Sequence, residues 1–256
     1  MRLSTVVVSS LAAVATAAPT WPSFNIKDLA NPMNALDSLS GYFNLIASKV
    51  EAAKAIAIAP TCDVSKAKMP TVDGLPPPSQ GLSVHHVVVG RGTQNYTCNE
   101  GEDAKPKAAG AVATLFNVTC MASMYPDVTN RIPGMAVHFN LDNANRLGPR
   151  VLPVSGHHYF TSDGVPYFDL GDIGQAPTAK NSSAAPPRTA SAGQGGEPAV
   201  TWLKLLTVEG ATEGIQEVYR VSTAGGTPPA TCKGMPSNFE VEYAAEYVFV
   251  KPYSCE

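Results

Sequence analysis

From Phe239 to Phe249, apolar side chains take every second position. Phe239, Val241, Tyr243, Ala245, Tyr247 and Phe249 alternate with Glu240, Glu242, Ala244, Glu246 and Val248. A helix would scatter the first set around its circumference, whereas an extended strand gathers it on one face. Shorter runs with the same period precede it: Ser83 to Arg91, Thr93 to Cys98, Gly110 to Thr119, Met135 to Phe139, His157 to Thr161, Pro166 to Leu170, Val200 to Leu206 and Ile215 to Ser222. Their β-branched and aromatic content, with Gly and Pro between them, reads as strands joined by turns. Many strands with almost no helix between them predict an all-β domain, mainly an antiparallel sandwich or barrel. Glu242 and Glu246 are expected on a solvated strand face. Trp202, inside the apolar run Trp202-Leu203-Lys204-Leu205-Leu206, is expected in the core.

The β-rich region spans 81–256. Within it, residues 171–198 are dominated by Ala, Ser, Gly and Pro and predict a long flexible surface loop. Residues 61–80 end in Leu75-Pro76-Pro77-Pro78 and predict a linker or extended strap. Over 19–60, Leu36, Leu39, Phe43, Ile46, Val50, Ala53 and Ala57 form a helical stripe, opened by Asn31-Pro32 and stopped by Pro60. That amphipathic helix either docks on the domain or mediates self-association. Residues 1–18 combine Arg2, the apolar run Val6 to Ala15 and the small residues Ala15-Thr16-Ala17-Ala18. This is the layout of a signal peptide, and the run is too short to span a bilayer. The expectation is a secreted, extracellular protein without a transmembrane segment.

Export makes the five cysteines, Cys62, Cys98, Cys120, Cys232 and Cys255, candidates for disulfides. Cys98 and Cys120 end neighbouring predicted strands and are expected to pair, leaving Cys62 for Cys232 or Cys255. Three sequons stand at Asn95, Asn117 and Asn181, and Asn181 is the preferred glycan acceptor because it lies in the predicted loop. The net charge of -3 and the absence of a basic cluster argue against a nucleic-acid partner.

Gly90-Arg91-Gly92-Thr93-Gln94-Asn95 lacks the third glycine and the following helix of a dinucleotide site, so no cofactor is expected. Neither His85-His86 nor His157-His158 has the spacing of a metal motif, and no metal is expected. Each pair on a strand nevertheless sends one imidazole to each face. His157 or His158 with Asp169 or Glu217 could therefore form a histidine–carboxylate catalytic site, as in a hydrolase or lyase.

Several ordered strings carry a resemblance: Gly90 to Cys98, Gly110 to Phe116, Gly156 to Phe160, Thr201 to Leu205, Tyr219 to Gly226 with Cys232, and Tyr243 to Phe249. On these the chain resembles a secreted family common in filamentous fungi, domain-of-unknown-function family 3455, whose members are often labelled malate dehydrogenase. The resemblance runs from about Cys62 to the C-terminus and implies a fold and a location without catalytic residues. The malate dehydrogenase label does not fit this chain, which lacks the nucleotide fingerprint and the strand–helix alternation that such an enzyme requires. The leading expectation is a non-enzymatic module binding a glycan, a small ligand or a surface protein. Glycines flanking the landmarks suggest that Arg91, Gln94, His157, His158, Tyr159 and Arg220 share one pocket or rim. Arg91 and Arg220 could instead form structural salt bridges with Glu217 or Glu246.

Overall fold

The computed structural model describes residues 62–141 and 152–253, all within the unit Glu51–Glu256. The expected signal peptide, the helical segment 19–60 and Cys255 lie outside the described residues. Eight strands follow in order: β1 (Leu82–Thr97), β2 (Lys107–Asn117), β3 (Val154–Phe160), β4 (Pro166–Asp169), β5 (Gln175–Ala184), β6 (Trp202–Thr207), β7 (Glu217–Gly225) and β8 (Asn238–Pro252). Each pairs antiparallel with its neighbours in sequence, and β8 returns beside β1 to close a barrel. Closure removes the unpaired edges that an open sheet would expose. The β1–β8 seam is the longest, running from Leu82 opposite Pro252 to Thr97 opposite Asn238.

Gly92 does not divide β1. A Cβ there would lie 1.8 Å from the Val112 carbonyl oxygen, so glycine is what lets β1 approach β2. At Gly156 a Cβ would come within 1.9 Å of the Asp169 carbonyl oxygen, which imposes the same requirement between β3 and β4.

Two stretches differ from expectation. Met135 to Phe139 is not a strand: it overlaps the last of three short helices, α1 (Thr119–Met124), α2 (Pro126–Thr129) and α3 (Ile132–Ala136). Pro126 and Pro133 sit in the first turns of α2 and α3, where the missing N–H costs nothing. Residues 171–198 are not one loop, because they contain β5. Its inward positions include the small residues Ala176 and Thr178, both fully buried, so the strand carries almost no hydrophobic signature. Pairing to β4 and β6 holds it in place.

Apolar side chains form two layers. Inside the barrel lie Val88, Leu115, Phe168, Leu205, Val218, Tyr243, Tyr247 and Phe249, contributed from all around the wall. Outside it, Val87, Val89, Tyr219, Val221, Val248 and Val250 on β1, β7 and β8 are covered by Val118, Ala122, Ile132 and Val137 and by Met69, Val72 and Leu75 of the strap. Burial of each large side chain contributes about 2 kcal/mol. This double coverage explains the unbroken run Val87-Val88-Val89, which a one-sided strand would not need.

The segment 62–81 is a strap held at two points. Cys62 is bonded to Cys120 in α1. Farther along, Ser79 donates from its backbone and its hydroxyl to Glu217, and Lys204 Nζ reaches Pro77 O at 3.0 Å. The second disulfide, Cys98–Cys232, joins the β1–β2 and β7–β8 loops. The expected Cys98–Cys120 pairing is thus corrected. Antiparallel pairing puts Cys98, just after β1, at one end of the barrel and Cys120, just after β2, at the other, so Cys98 bonds into the β7–β8 loop instead. On the chain-entropy model the two bridges stabilise by about 4 and about 5 kcal/mol for their long loops.

Candidate functional site: the upper end of the barrel interior

The β1–β2, β3–β4, β5–β6 and β7–β8 loops share one end of the barrel, here the upper end, while α1 to α3 lie toward the other. Strand alternation decides which polar side chains enter the interior. Gly92 lies opposite both Tyr243 and Ala113, Ala113 opposite His158, and His158 opposite Phe168. Gln94 follows two residues after Gly92 and takes the same face. Arg220 lies opposite Tyr247 and Leu203, so its side chain also starts inside the barrel.

These groups converge. Arg220 is half-buried and donates from Nε and Nη2 to Thr201 O at 3.2 and 3.0 Å, and from Nη1 to Gln94 Oε1 at 3.4 Å. Gln94 is 9% exposed, and its Nε2 makes no hydrogen bond of ordinary geometry, although the Gln94 amide acts on the Tyr243 hydroxyl. The Tyr243 and Tyr247 hydroxyls bond each other at 2.8 Å. The Tyr96 hydroxyl donates to Gly226 O at 2.8 Å, and its ring stacks on Phe239. His158 stacks on Phe168 with ring centroids 4.2 Å apart, and its Nδ1 bonds Tyr167 O at 2.9 Å. With Nδ1 as the donor, Nε2 is left as an acceptor.

Burial is the main force on the ionisable groups here. It lowers His158 to about 4, opposed by the hydrogen bond to Tyr167 O and reinforced by the charge of Arg220. Burial raises Tyr243 and Tyr247, while Arg220 pulls both back toward ionisation. The interior therefore holds one cation, a neutral imidazole and several phenols.

Of the six residues expected in one rim, Gln94, His158 and Arg220 meet inside the barrel. Arg91, His157 and Tyr159 do not join them. Each lies an odd number of positions along its strand from an inward residue, so each faces outward. Arg91 is buried beneath the helical cover, donating to Phe139 O, Gly92 O and Tyr243 O and pairing with Glu242. Gln194 bonds the same Glu242 carboxylate, so this cluster fastens the segment after α3 and the β5–β6 loop to the wall. Its partner is Glu242, not the expected Glu217 or Glu246. Tyr159 stacks on Tyr167 at 5.3 Å on the outer face.

The carboxylates expected to assist a catalytic histidine are also outside. Asp169 lies opposite His157 on the outer face and accepts from Gly171 N at 3.1 Å. Glu217 forms a buried ion pair with Lys204 at 3.0 Å and accepts from Tyr219 at 3.0 Å. Burial alone would raise its pKa, but the hydrogen bonds from Ser79, Lys204 and Tyr219 hold it below the ordinary value. Glu246, expected to be solvated, is 1% exposed on the covered face and accepts from Ser222 Oγ at 2.9 Å.

Sequence reasoning missed the interior tyrosines as polar groups. Tyr243 and Tyr247 were legible as members of an apolar face, and Tyr96 only as part of the strand Thr93 to Cys98; the signal was tyrosine standing where phenylalanine would pack as well. Of the sequon residues, Asn181 is exposed, though on β5, while Asn95 and Asn117 are half-buried. Asn117 Oδ1 accepts from Thr119 N, and Asn95 Oδ1 accepts from Thr93 Oγ1. Among the described residues no three His, Cys, Asp or Glu side chains are grouped as metal ligands, and no helix is long and apolar enough to cross a membrane.

No curated protein and no solved structure matches the chain. A family model matches residues 78–251, from the last proline of the strap through nearly all of β8. The chain with the Arg220–Gln94–His158 interior therefore belongs to the family described as protein of unknown function (DUF3455).

Proposed function

We propose that the protein is an exported, non-enzymatic binding module that holds a small ligand at the upper end of its barrel. The observation that carries this reading is the pairing of a cation with an unsatisfied donor inside the barrel: Arg220 with Thr201 O and Gln94, and Gln94 Nε2 without a hydrogen bond of ordinary geometry. A buried unpaired polar group costs about 1–3 kcal/mol, and a ligand acceptor would recover it. The eight-stranded barrel supports the same reading, since barrels of this size fill with side chains or admit one small ligand. Two disulfides suit an oxidising destination.

A histidine–carboxylate hydrolase or lyase draws less support. His158 has its Nδ1 on a backbone carbonyl, and Asp169 and Glu217 stand on the opposite face of the wall. The test is a thermal-shift screen of small molecules on the wild type, Arg220→Met and, as a control at an exposed arginine of the β5–β6 loop, Arg188→Gln. The expected result is compounds that raise the melting temperature of the wild type and Arg188→Gln but not of Arg220→Met. Finding no binder, or binders indifferent to Arg220, would overturn the reading.

A further inference from the structure

Resting on the reading above, we propose that the ligand group held by Arg220 and Gln94 is the carboxylate of a small aromatic organic acid. The first reason is a contrast within the barrel wall. Among the described residues four strand cations are partly or fully buried, Arg91, Lys204, Arg220 and Lys251, and the two most buried have a carboxylate: Lys204 has Glu217 and Arg91 has Glu242. Arg220, which starts inside the upper barrel, donates to neutral oxygens, of Thr201 and Gln94, and also acts on the Tyr247 hydroxyl. Arg220 is only half-buried, so it keeps part of its hydration and can still meet an anion from outside the chain at the mouth of the barrel.

The second reason is the donor set. Gln94 Oε1 faces the guanidinium, and Nε2 of the same amide is buried without a hydrogen bond of ordinary geometry, having only the Tyr243 hydroxyl to act on. A planar carboxylate has two oxygens that can accept from a guanidinium fork and an adjacent amide. The third reason is charge. His158 is neutral in this interior and the tyrosine hydroxyls are un-ionised, so a single positive charge faces the ligand. That matches a monoanion and leaves a phosphate dianion over-charged. The surrounding side chains are aromatic: Tyr96 stacks on Phe239, and Phe160 lies beside His158 with ring centroids 5.7 Å apart. An aromatic acid can place its ring among them while its carboxylate meets Arg220.

The experiment is calorimetric titration of the full chain at neutral pH with benzoate, benzamide and inorganic phosphate. Benzoate is expected to bind at least about tenfold tighter than its neutral amide, as a charge-assisted contact should. Arg220→Met should lower benzoate affinity by about tenfold or more, and Arg220→Lys, which keeps the charge but loses the fork, by less. Gln94→Leu, which leaves the cation in place, should weaken benzoate by roughly threefold or more and covers the case in which the Arg220 variants fail to fold. Equal binding of benzamide, preference for phosphate, or unchanged benzoate affinity in both Arg220→Met and Gln94→Leu would overturn the proposal. If the screen yields only neutral ligands that depend on Arg220, the carboxylate proposal fails while the binding-module reading stands. If it yields no ligand and benzoate also fails to bind, both fall.

Discussion

His86 and His158 are both buried, yet they are satisfied in different ways. His86 bonds Ser155 Oγ at 2.6 Å through Nε2 and Thr119 Oγ1 at 2.9 Å through Nδ1, which ties β1 to α1 and β3. Burial lowers His86 to about 4, aided by the nearby His85, and it lowers His158 to about 4 as well. An unfolded histidine titrates at about 6.5, so between pH 6.5 and 4 the unfolded chain binds protons that the folded chain refuses. Their contribution is therefore complete above about 6.5 and is lost as pH falls toward about 4, at up to ~1.4 kcal/mol per pH unit for each histidine. Urea unfolding from pH 7 to 4 should show this loss, with a shallower slope in His86→Gln. Parallel pH profiles for the two proteins would contradict it.

Glu246 behaves in the opposite sense. Its burial raises it to about 7, with the Ser222 hydrogen bond working the other way. The folded chain then holds a proton that the unfolded chain releases, so stability is lost as pH rises from about 4.5 through about 7. Glu246→Gln should keep the Ser222 contact and gain on the order of 3 kcal/mol relative to wild type at pH 8, with little difference at pH 4. An unchanged or lower relative stability at pH 8 would show that the carboxylate is accommodated as an anion. None of this was visible in the sequence, where Glu246 belongs to an alternating row of carboxylates. The cover that buries it comes from residues more than a hundred positions earlier.

At the scale of elements, the strap is the part whose attachment can be tested most cleanly. Lys204 and Glu217 are nearly inaccessible and share Ser79 with it. Removing one partner strands a buried charge, so Lys204→Met alone should cost about 3–5 kcal/mol. Lys204→Met with Glu217→Leu should recover most of that loss while still releasing Ser79. Increased protease cleavage near Pro76-Pro77-Pro78 in the double variant would mark the release. Additive losses in the two single variants and the pair would deny the coupling.

The elements that sequence periodicity revealed are those with a one-sided burial pattern and large side chains. β8 is the clearest, and its inward row is the one expected. β5 escaped because its inward residues are Ala and Thr, and its strand identity comes from its neighbours. The α3 region misled in the other direction. Met135, Val137 and Phe139 alternate as a strand would, but Pro133 and the burial of Ile132, Ala136 and Val137 against the outer wall fold it as a short helix and turn. The Cys98–Cys120 expectation failed on topology: each cysteine follows the end of one of two consecutive strands, and antiparallel pairing sends those ends to opposite ends of the barrel.

For the whole molecule, closure of the sheet converts alternation into a sorting of inside from outside. That sorting explains why only half of the expected rim residues meet. Sequence landmarks identified Arg91, Gln94, His157, His158, Tyr159 and Arg220 together, and the barrel wall separates them by parity. It assigns Arg91 to fastening the cover and Gln94, His158 and Arg220 to the interior. The glycan acceptors sort in the same way. Asn181 is open to solvent, whereas the side chain of Asn117 caps Thr119 N, a buried residue that also bonds Val87 and His86. Peptide mapping after expression through a secretory pathway should find glycan at Asn181 and little at Asn117. The reverse occupancy would mean that modification precedes folding of β2.

The most direct measurement is the amide spectrum of isotopically labelled protein during titration with benzoate. The side-chain amide protons of Gln94 report on the very donor that lacks a hydrogen bond of ordinary geometry. Binding at the upper end of the interior predicts saturable shifts of those protons and of the His158, Arg220 and Tyr243 backbone amides, with the outer-face residues Arg91, His157 and Tyr159 unmoved. Shifts concentrated on the outer face, with Gln94 unchanged at saturation, would contradict it.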